Sequence, residues 1–486
     1  MSQFLVIVAF LCLSAPSLPG LFGGREPGVG LGAAAMAAVL PQVALVLVVW
    51  LAMSVCGRTM DRKGSLRAAF LGDRIARWAR VASTALHGVS CVLLGWPASV
   101  ASRVGELVLV DEVIALSPVV LAWLALMWVH EPIERRLREA VLMRRLDEGR
   151  PIYPILSRGA TVWSHFRSTI LVVLVPIFMV ISATEGIEVA LVRFGHDLST
   201  EDGQALLGVV QLVGVACVFL VAPLVLRFVW DAVPIGEGEL RSALVKVAEE
   251  ARVGVRRLLV WRTGGTMING AAVGILPGLR FVLLTDGLLD NLTLDQVRAV
   301  AAHEFGHLRR RHLPWLGACM IACVFSLSIA LTWLDRWTRA LAPSFQTMSE
   351  MAGGGLAIVL GLWVFGFVSR RFEWQADAFA AQTLSRSGLS VESPAISPEA
   401  AGAMIGALDA VADLNGIPRR RRSWRHGSIH TRQMRLRAVV GMPVKGLPID
   451  RACLWVRVGS LVLLGLSVAA VALDHVALRW FSELVR

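Results

Sequence analysis

Apolar residues in this chain gather into long runs separated by charged stretches. About nine of them approach or exceed the length needed to cross roughly 30 Å of hydrocarbon. They are Phe4 to Pro19, Ala33 to Val55, Thr84 to Ala101, Val113 to Val129, Thr169 to Ala183, Ala205 to Val229, Trp315 to Leu334, Met351 to Ser369 and Cys453 to Leu473. The pattern predicts a mainly α, polytopic helical membrane protein, because a helix satisfies its own backbone groups in lipid. Two runs leave alternatives open. The first is short and ends in Ser14, Ala15 and Pro16, so it reads as an uncleaved anchor or a signal peptide, although no basic residue precedes it. The third carries His87 and a break at Gly95, Trp96 and Pro97, which fits an interfacial or re-entrant helix as well as a full span.

Composition agrees with a bilayer as the solvent: of 486 residues, 56% are apolar and 17% charged. The net charge of +12 would suggest nucleic acid in a soluble protein, but the arginines cluster in alternate loops. One loop holds Arg58, Arg62, Lys63, Arg67, Arg74, Arg77 and Arg80; another holds Arg135, Arg136, Arg138, Arg144, Arg145 and Arg150. The positive-inside rule puts both in the cytoplasm, leaves Glu185, Glu188, Asp197, Glu201 and Asp202 outside, and returns Asp231 to Pro314 and Arg370 to Arg451 to the inside. A lipid bilayer is thus an expected partner and nucleic acid is not. The arginine-heavy loops lean toward a bacterial plasma membrane. The seven cysteines lack C-x-x-C spacing and lie mostly in or beside apolar runs, so they read as small core residues.

Three regions follow. Residues 1–230 form a membrane region with about six runs. Asp111 and Glu112, at the head of one of these, either mark a pathway or complement a helix dipole. Residues 231–450 carry the chemistry and are interrupted by the runs at 315–334 and 351–369, and 451–486 hold the last run. From Gly236 the chain turns polar. Glu239 to Arg252 has helical spacing, and Leu258 to Trp261, Met267 to Val273 and Arg280 to Thr285 read as strands of a small cytoplasmic sheet closed by Asp286 and Gly287. Thr293 with Gln296 is a capping box opening the next helix, Val297 to Arg311.

That helix contains His303, Glu304, Phe305, Gly306 and His307. Residues four apart share a helix face, so both imidazoles can reach one tetrahedral ion, while Glu304 lies about 100° round the helix, placed to accept a proton from water. A catalytic zinc needs a third protein ligand and an open position. Glu373 supplies a carboxylate in the same compartment, and Asp377, one turn later, can take the outer N–H of a ligating imidazole, His303 being the better candidate.

At these residues the chain resembles the membrane gluzincin family (metallopeptidase family 48) that contains the CAAX prenyl endopeptidase and the heat-shock protease HtpX. The resemblance runs from about Gly236 to Leu436 and also rests on Met267 to Ala271, similar to the family's edge strand beside the active site, and on Arg280 to Leu289, similar to its approach to the zinc helix. It implies a gluzincin-type domain with one Zn2+ per chain on His303, His307 and Glu373, Glu304 as general base, and a polypeptide substrate added as a strand along Asn269 and Ala271. A late segment, Trp424 to Arg432, resembles the one in which a histidine is followed by proline and, six residues on, an arginine. It implies that His426 donates to the oxyanion and that Arg432 orients acidic groups. Gly427 stands where the family has proline, which leaves His430 open as the operative residue. The chain has more membrane before the zinc helix than a minimal HtpX-like protein, and Gly388 to Pro398 reads as a flexible loop.

The expected activity is therefore endoproteolysis of membrane or membrane-proximal proteins, with quality control favoured over processing of prenylated C-termini. Two alternatives remain: a catalytically silent scaffold of the same fold, and a signalling metalloprotease of the antibiotic-sensor type. An intramembrane zinc helix is disfavoured by Arg298 and Arg309 to Arg311. The sequence carries no reading of oligomeric state.

Overall fold

The computed structural model describes residues 2–14, 30–105, 108–149, 152–341, 346–387 and 395–484. Two compact units divide the chain, Met1–Asp231 and Ala232–Arg486.

The first unit is all helix: α1 (Ser2–Leu11), α2 (Leu31–Lys63), α3 (Leu66–Leu94), α4 (Trp96–Val104), α5 (Val110–Asp147), α6 (Arg158–Phe166), α7 (Val172–Arg193) and α8 (Glu201–Val229). A π-helical stretch, Arg167–Leu171, joins α6 to α7. Val49 and Met53 of α2, Ala76 of α3, and Trp123, Leu126 and Ile133 of α5 form its main core. Gly72 lets α3 approach α5 closely, since a Cβ there would lie 3.3 Å from Ile133. Helices α2, α5, the α6–α7 stretch and α8 are each long and apolar enough to cross a membrane. The third run becomes α3 and α4, bent by 68° at Gly95, whose φ of +58° suits a residue without a Cβ. Of the first run, the described residues give a ten-residue helix and a short 3-10 turn, Cys12–Ser14; residues 15–19 lie outside the described residues.

The two arginine-rich segments expected as loops are helical along nearly all their length. Arg58 to Lys63 complete α2, Arg67 to Arg80 lie on α3, and Arg135 to Arg145 lie on α5. Hydropathy marks where the apolar run stops, not where the helix does. Ser65 restarts the chain by accepting from the amide of Ala68, and pairs such as Arg135–Glu139 (3.0 Å) and Arg136–Asp61 (2.7 Å) support the polar turns. Cys217, expected as a core residue, is exposed on α8, where an apolar helix surface has lipid to face.

The second unit opens with β1 (Ala232–Pro234), α9 (Glu239–Glu250), β2 (Arg257–Trp261), β3 (Gly270–Val273), β4 (Phe281–Thr285) and α10 (Asp286–Asn291). The sheet order is β1-β2-β4-β3, with β2 and β4 parallel and both outer pairs antiparallel. Every residue of β4 is buried, as a central strand of β-branched, leucine and phenylalanine residues requires. Asp286 closes the sheet by accepting from the amides of Thr263 (3.0 Å) and Gly264 (2.8 Å). The predicted strand at 267–273 is shorter than expected. Met267 to Asn269 precede it because Asn415 ties both the N–H and the C=O of Ile268. β1 escapes sequence reading, being three residues long and ending in proline.

Next come α11 (Leu294–Arg309), α12 (His312–Leu341), α13 (Gln346–Ser387), α14 (Pro398–Leu414), α15 (Ile429–Ala438) and α16 (Pro448–Leu484). The capping box of Thr293 and Gln296 opens α11. α12, α13 and α16 are the other three helices able to span, which makes seven among the described residues, or eight if the bent pair is one span. The chain is thus a multi-pass, mainly helical membrane protein with one small mixed sheet. α13 is a single 42-residue helix, so the apolar run and Glu373 share one rigid rod. Residues 388–394 of the expected flexible loop lie outside the described residues; its end is fixed where the Ile396 amide donates to Met442. α16 packs on α12, with Cys453 beside Cys319, Val368 and Phe372.

Candidate metal centre and its cavity

Phe305, at the middle of the histidine motif, is fully buried among Leu244, Leu288 and the rest of the sheet-side core. It lies about 200° round the helix from His303, so anchoring it turns the two histidines the other way. Truncation of such a phenylalanine costs about 3–5 kcal/mol, which makes this the main lock on the rotation of α11. Gly306 then sets the distance. A Cβ there would lie 3.1 Å from Phe379 and 3.2 Å from the Cα of Ala376, so only glycine lets α11 and α13 approach closely enough for Glu373 to meet the histidines.

His303 and His307 place their Nε2 atoms 3.1 Å apart, and Glu373 brings its Oε2 to 3.7 Å from the first and its Oε1 to 3.8 Å from the second. These three side chains alone, among the described residues, form a cluster able to hold a metal ion. Two nitrogens and one carboxylate at this spacing fit zinc with a fourth position open.

Asp377 lies behind His303, with Oδ1 3.0 Å from Nδ1. Arg432 of α15 grips Asp377 with two hydrogen bonds, Nε to Oδ2 at 2.8 Å and Nη2 to Oδ1 at 2.6 Å, and reaches Oε2 of Glu373 at 3.4 Å. Burial opposes charge on His303, but the Asp377 carboxylate outweighs it and raises its pKa. Burial and the neighbouring His303 lower His307 to about 4, so its imidazole stays neutral, the form that binds metal. Glu304 is raised by burial, partly offset by His303. A raised carboxyl suits a group that must take and return a proton.

His303, Glu304, His307, Glu373 and Arg432 border a cavity of about 1080 Å³. The edge strand β3 forms one wall, with Asn269 just before it and Ala271 within it. Gly270 allows the strand to touch the motif: a Cβ there would lie 3.3 Å from Oε1 of Glu304. Asn269 is held through its backbone, its N–H donating to Oγ1 of Thr285 and its C=O accepting from the Thr285 amide. Opposite, a turn from Ser423 to Gly427 carries His426, whose Nδ1 sits 2.9 Å from Oε1 of Glu373. Gly427 has φ +76°, which proline cannot adopt, so the departure from the family pattern matches a different turn. His426 lines the cavity. His430 does not; it sits in the first turn of α15.

Residues 234–396 match the model of Peptidase family M48. That span contains His303, Glu304, His307, Glu373 and Asp377. Over these residues the chain is similar to Peptidase family M48. The CAAX prenyl protease 1 homolog of Arabidopsis thaliana is 30% identical to this chain over 172 residues, 33% of this chain and 39% of that protein. Protease HtpX of Vibrio campbellii is 28% identical over 160 residues, 30% of this chain and 53% of that protein. The chain thus spans between about two fifths and about half the length of these curated relatives. The crystal structure of S. mikatae Ste24p aligns with a TM-score of 0.44 at 13% identity, covering 85% of this chain and 100% of that one. The resemblance carried by the motifs is borne out, and His426 and Arg432 lie beyond the matched span.

The matched span also holds a histidine that the sequence motifs do not mark. His312 is buried, stacks on Phe372 with ring centroids 4.5 Å apart, and brings Nδ1 to 2.9 Å from Nδ1 of His307. Its Nε2 meets Oε1 of Gln375 at 3.0 Å, and Nε2 of Gln375 donates to Asp450 at 2.6 Å. If Nε2 of His307 is the ligand atom, the proton order is fixed: His307 donates to His312, which donates to Gln375. The only sequence signal was a third histidine five residues beyond the second, and three arginines concealed it.

Proposed function

We propose that this chain is a membrane-embedded, zinc-dependent endopeptidase that hydrolyses peptide bonds of membrane or membrane-proximal polypeptides at the cytoplasmic face of a bacterial plasma membrane. The observation that carries the reading is the convergence of His303, His307 and Glu373, with Glu304 beside them, on a cavity walled by a sheet edge. Zinc held by these three side chains supplies a Lewis acid and brings the pKa of water toward about 7. Glu304 takes the proton from the attacking water and delivers it to the leaving amine. An extended substrate lies along β3, its main chain paired with the strand at Asn269 and Ala271, which fixes register without demanding particular side chains. His426, across the cavity, donates a hydrogen bond to the developing oxyanion after leaving Glu373. Asp377, held by Arg432, keeps His303 oriented. Both relatives are named proteases; within that class, quality-control cleavage is favoured, since no residue pattern in the chain reads a prenyl group.

Degradation of casein by the detergent-purified full chain, beside Glu304→Gln with zinc added to both, tests this. Cleavage by the wild type alone, with zinc bound to both, is expected. Equal cleavage by both would remove Glu304 from its role, and zinc-loaded wild type inert on every unfolded substrate would favour the silent scaffold.

A further inference from the structure

A second cavity of about 510 Å³ lies in the same unit, lined by Arg309, Arg310, Arg311, Arg386, Lys445 and Arg457. Asp450 is the one carboxylate among its lining residues, and it is already engaged by Arg310 (3.2 Å) and by Gln375 (2.6 Å). Three consecutive arginines reach the cleft because Arg311 turns the chain between α11 and α12 with a left-handed φ of 54°. Arg457 donates to the backbone carbonyl of Arg310 at 3.0 Å and to Oε1 of Gln375 at 3.3 Å. The Nε atoms of Arg310 and Arg457 are buried without a hydrogen-bond partner among the described residues. Five arginines and one lysine around a single carboxylate leave the cleft with a surplus of cationic donors, which suits an anion with several acceptor oxygens.

The cleft sits where α12 and α16 begin their apolar runs, and Trp315 lines it at that level. Tryptophan and arginine at the head of a span mark the headgroup layer. Leu313 on α12 and Leu454 and Trp455 on α16 are exposed at the same ends of these helices, which offers apolar surface for acyl chains.

We infer that this cleft binds a phosphate-bearing anion, and that the headgroup of an anionic phospholipid is the form that fills it. The assignment rests on the membrane character of α12 and α16, not on the peptidase reading. It is tested by equilibrating the full chain in detergent with a mixture of phosphatidylglycerol and phosphatidylcholine, and counting retained lipids by native mass spectrometry. Wild type keeps phosphatidylglycerol in preference by about tenfold or more, as several nearby cations imply. Arg309→Gln with Arg311→Gln and Lys445→Gln removes the preference while leaving the Asp450 and Gln375 bonds in place, and helical content by circular dichroism verifies folding. Arg310→Gln with Arg457→Gln, which removes the unmatched donors, does the same. The equal-charge control, Arg62→Gln with Lys63→Gln and Arg67→Gln in the first unit, keeps the preference. Retention of phosphatidylglycerol by both cleft variants, or no preference in wild type, overturns the proposal. Displacement of the lipid by millimolar inorganic phosphate assigns the cleft to free phosphate and overturns the lipid form; persistence of the lipid supports it.

Discussion

His303 and His307 stand one turn apart on α11, yet different chemistry lies behind each ring. Behind His303 is a carboxylate, Asp377, gripped by the buried Arg432. Behind His307 is a neutral path of His312 and Gln375, with the carboxylate of Asp450 at its far end. The near charge raises the pKa of His303 against burial, whereas His307 is lowered to about 4. A carboxylate in direct contact both orients a ligand and raises its basicity; a neutral relay orients it and transmits little charge. His303 is thus the electrostatically strengthened imidazole and His307 the geometrically held one.

Removing what the two sides share has the largest expected effect. Glu373→Ala takes bound zinc, measured by elemental analysis, from about one ion per chain to nearly none; undiminished zinc would take Glu373 out of the site. Next is Arg432→Met, which leaves Asp377 buried without its counter-ion and destabilises the fold by about 3–5 kcal/mol, read from thermal unfolding in detergent. A change under about 1 kcal/mol, the worth of an exposed pair, would mean the grip on Asp377 contributes little. Asp377→Asn is expected to weaken zinc by about 10–100-fold in a chelator competition. The smallest effect belongs to His312→Gln, at about tenfold or less, since only orientation is lost. If His312→Gln matched or exceeded Asp377→Asn, the contrast between the two sides would fail.

The two sides were also unequally legible. Asp377 is one turn from Glu373, and a spacing of four on a helix announces a shared face. His312 follows His307 by five residues across the break between α11 and α12, where Arg311 leaves the helix, and no periodicity spans such a corner. The sheet shows the same division. β2 and β4 follow from their runs of apolar residues, while β1 exists only because β2 is there to pair with it. In the first unit the apolar runs located the helices, but the arginine segments at 58–63, 67–80 and 135–147 kept helical form well past the point where hydropathy falls.

The sequence by itself determined the membrane character of the chain and the pairing of His303 with His307, and of Glu373 with Asp377, on shared helix faces, because each is written in runs or in i, i+4 spacing that local backbone geometry converts directly into a face. Tertiary structure alone decided how closely α11 approaches α13 at Gly306, which histidine of the late turn lines the cavity, that Arg432 closes on Asp377, and that His312 stands behind His307. These depend on the room left at Gly306 and on side chains from separate elements meeting at 2.8 to 2.9 Å, and such meetings are fixed by packing, for which no local pattern in the chain stands in.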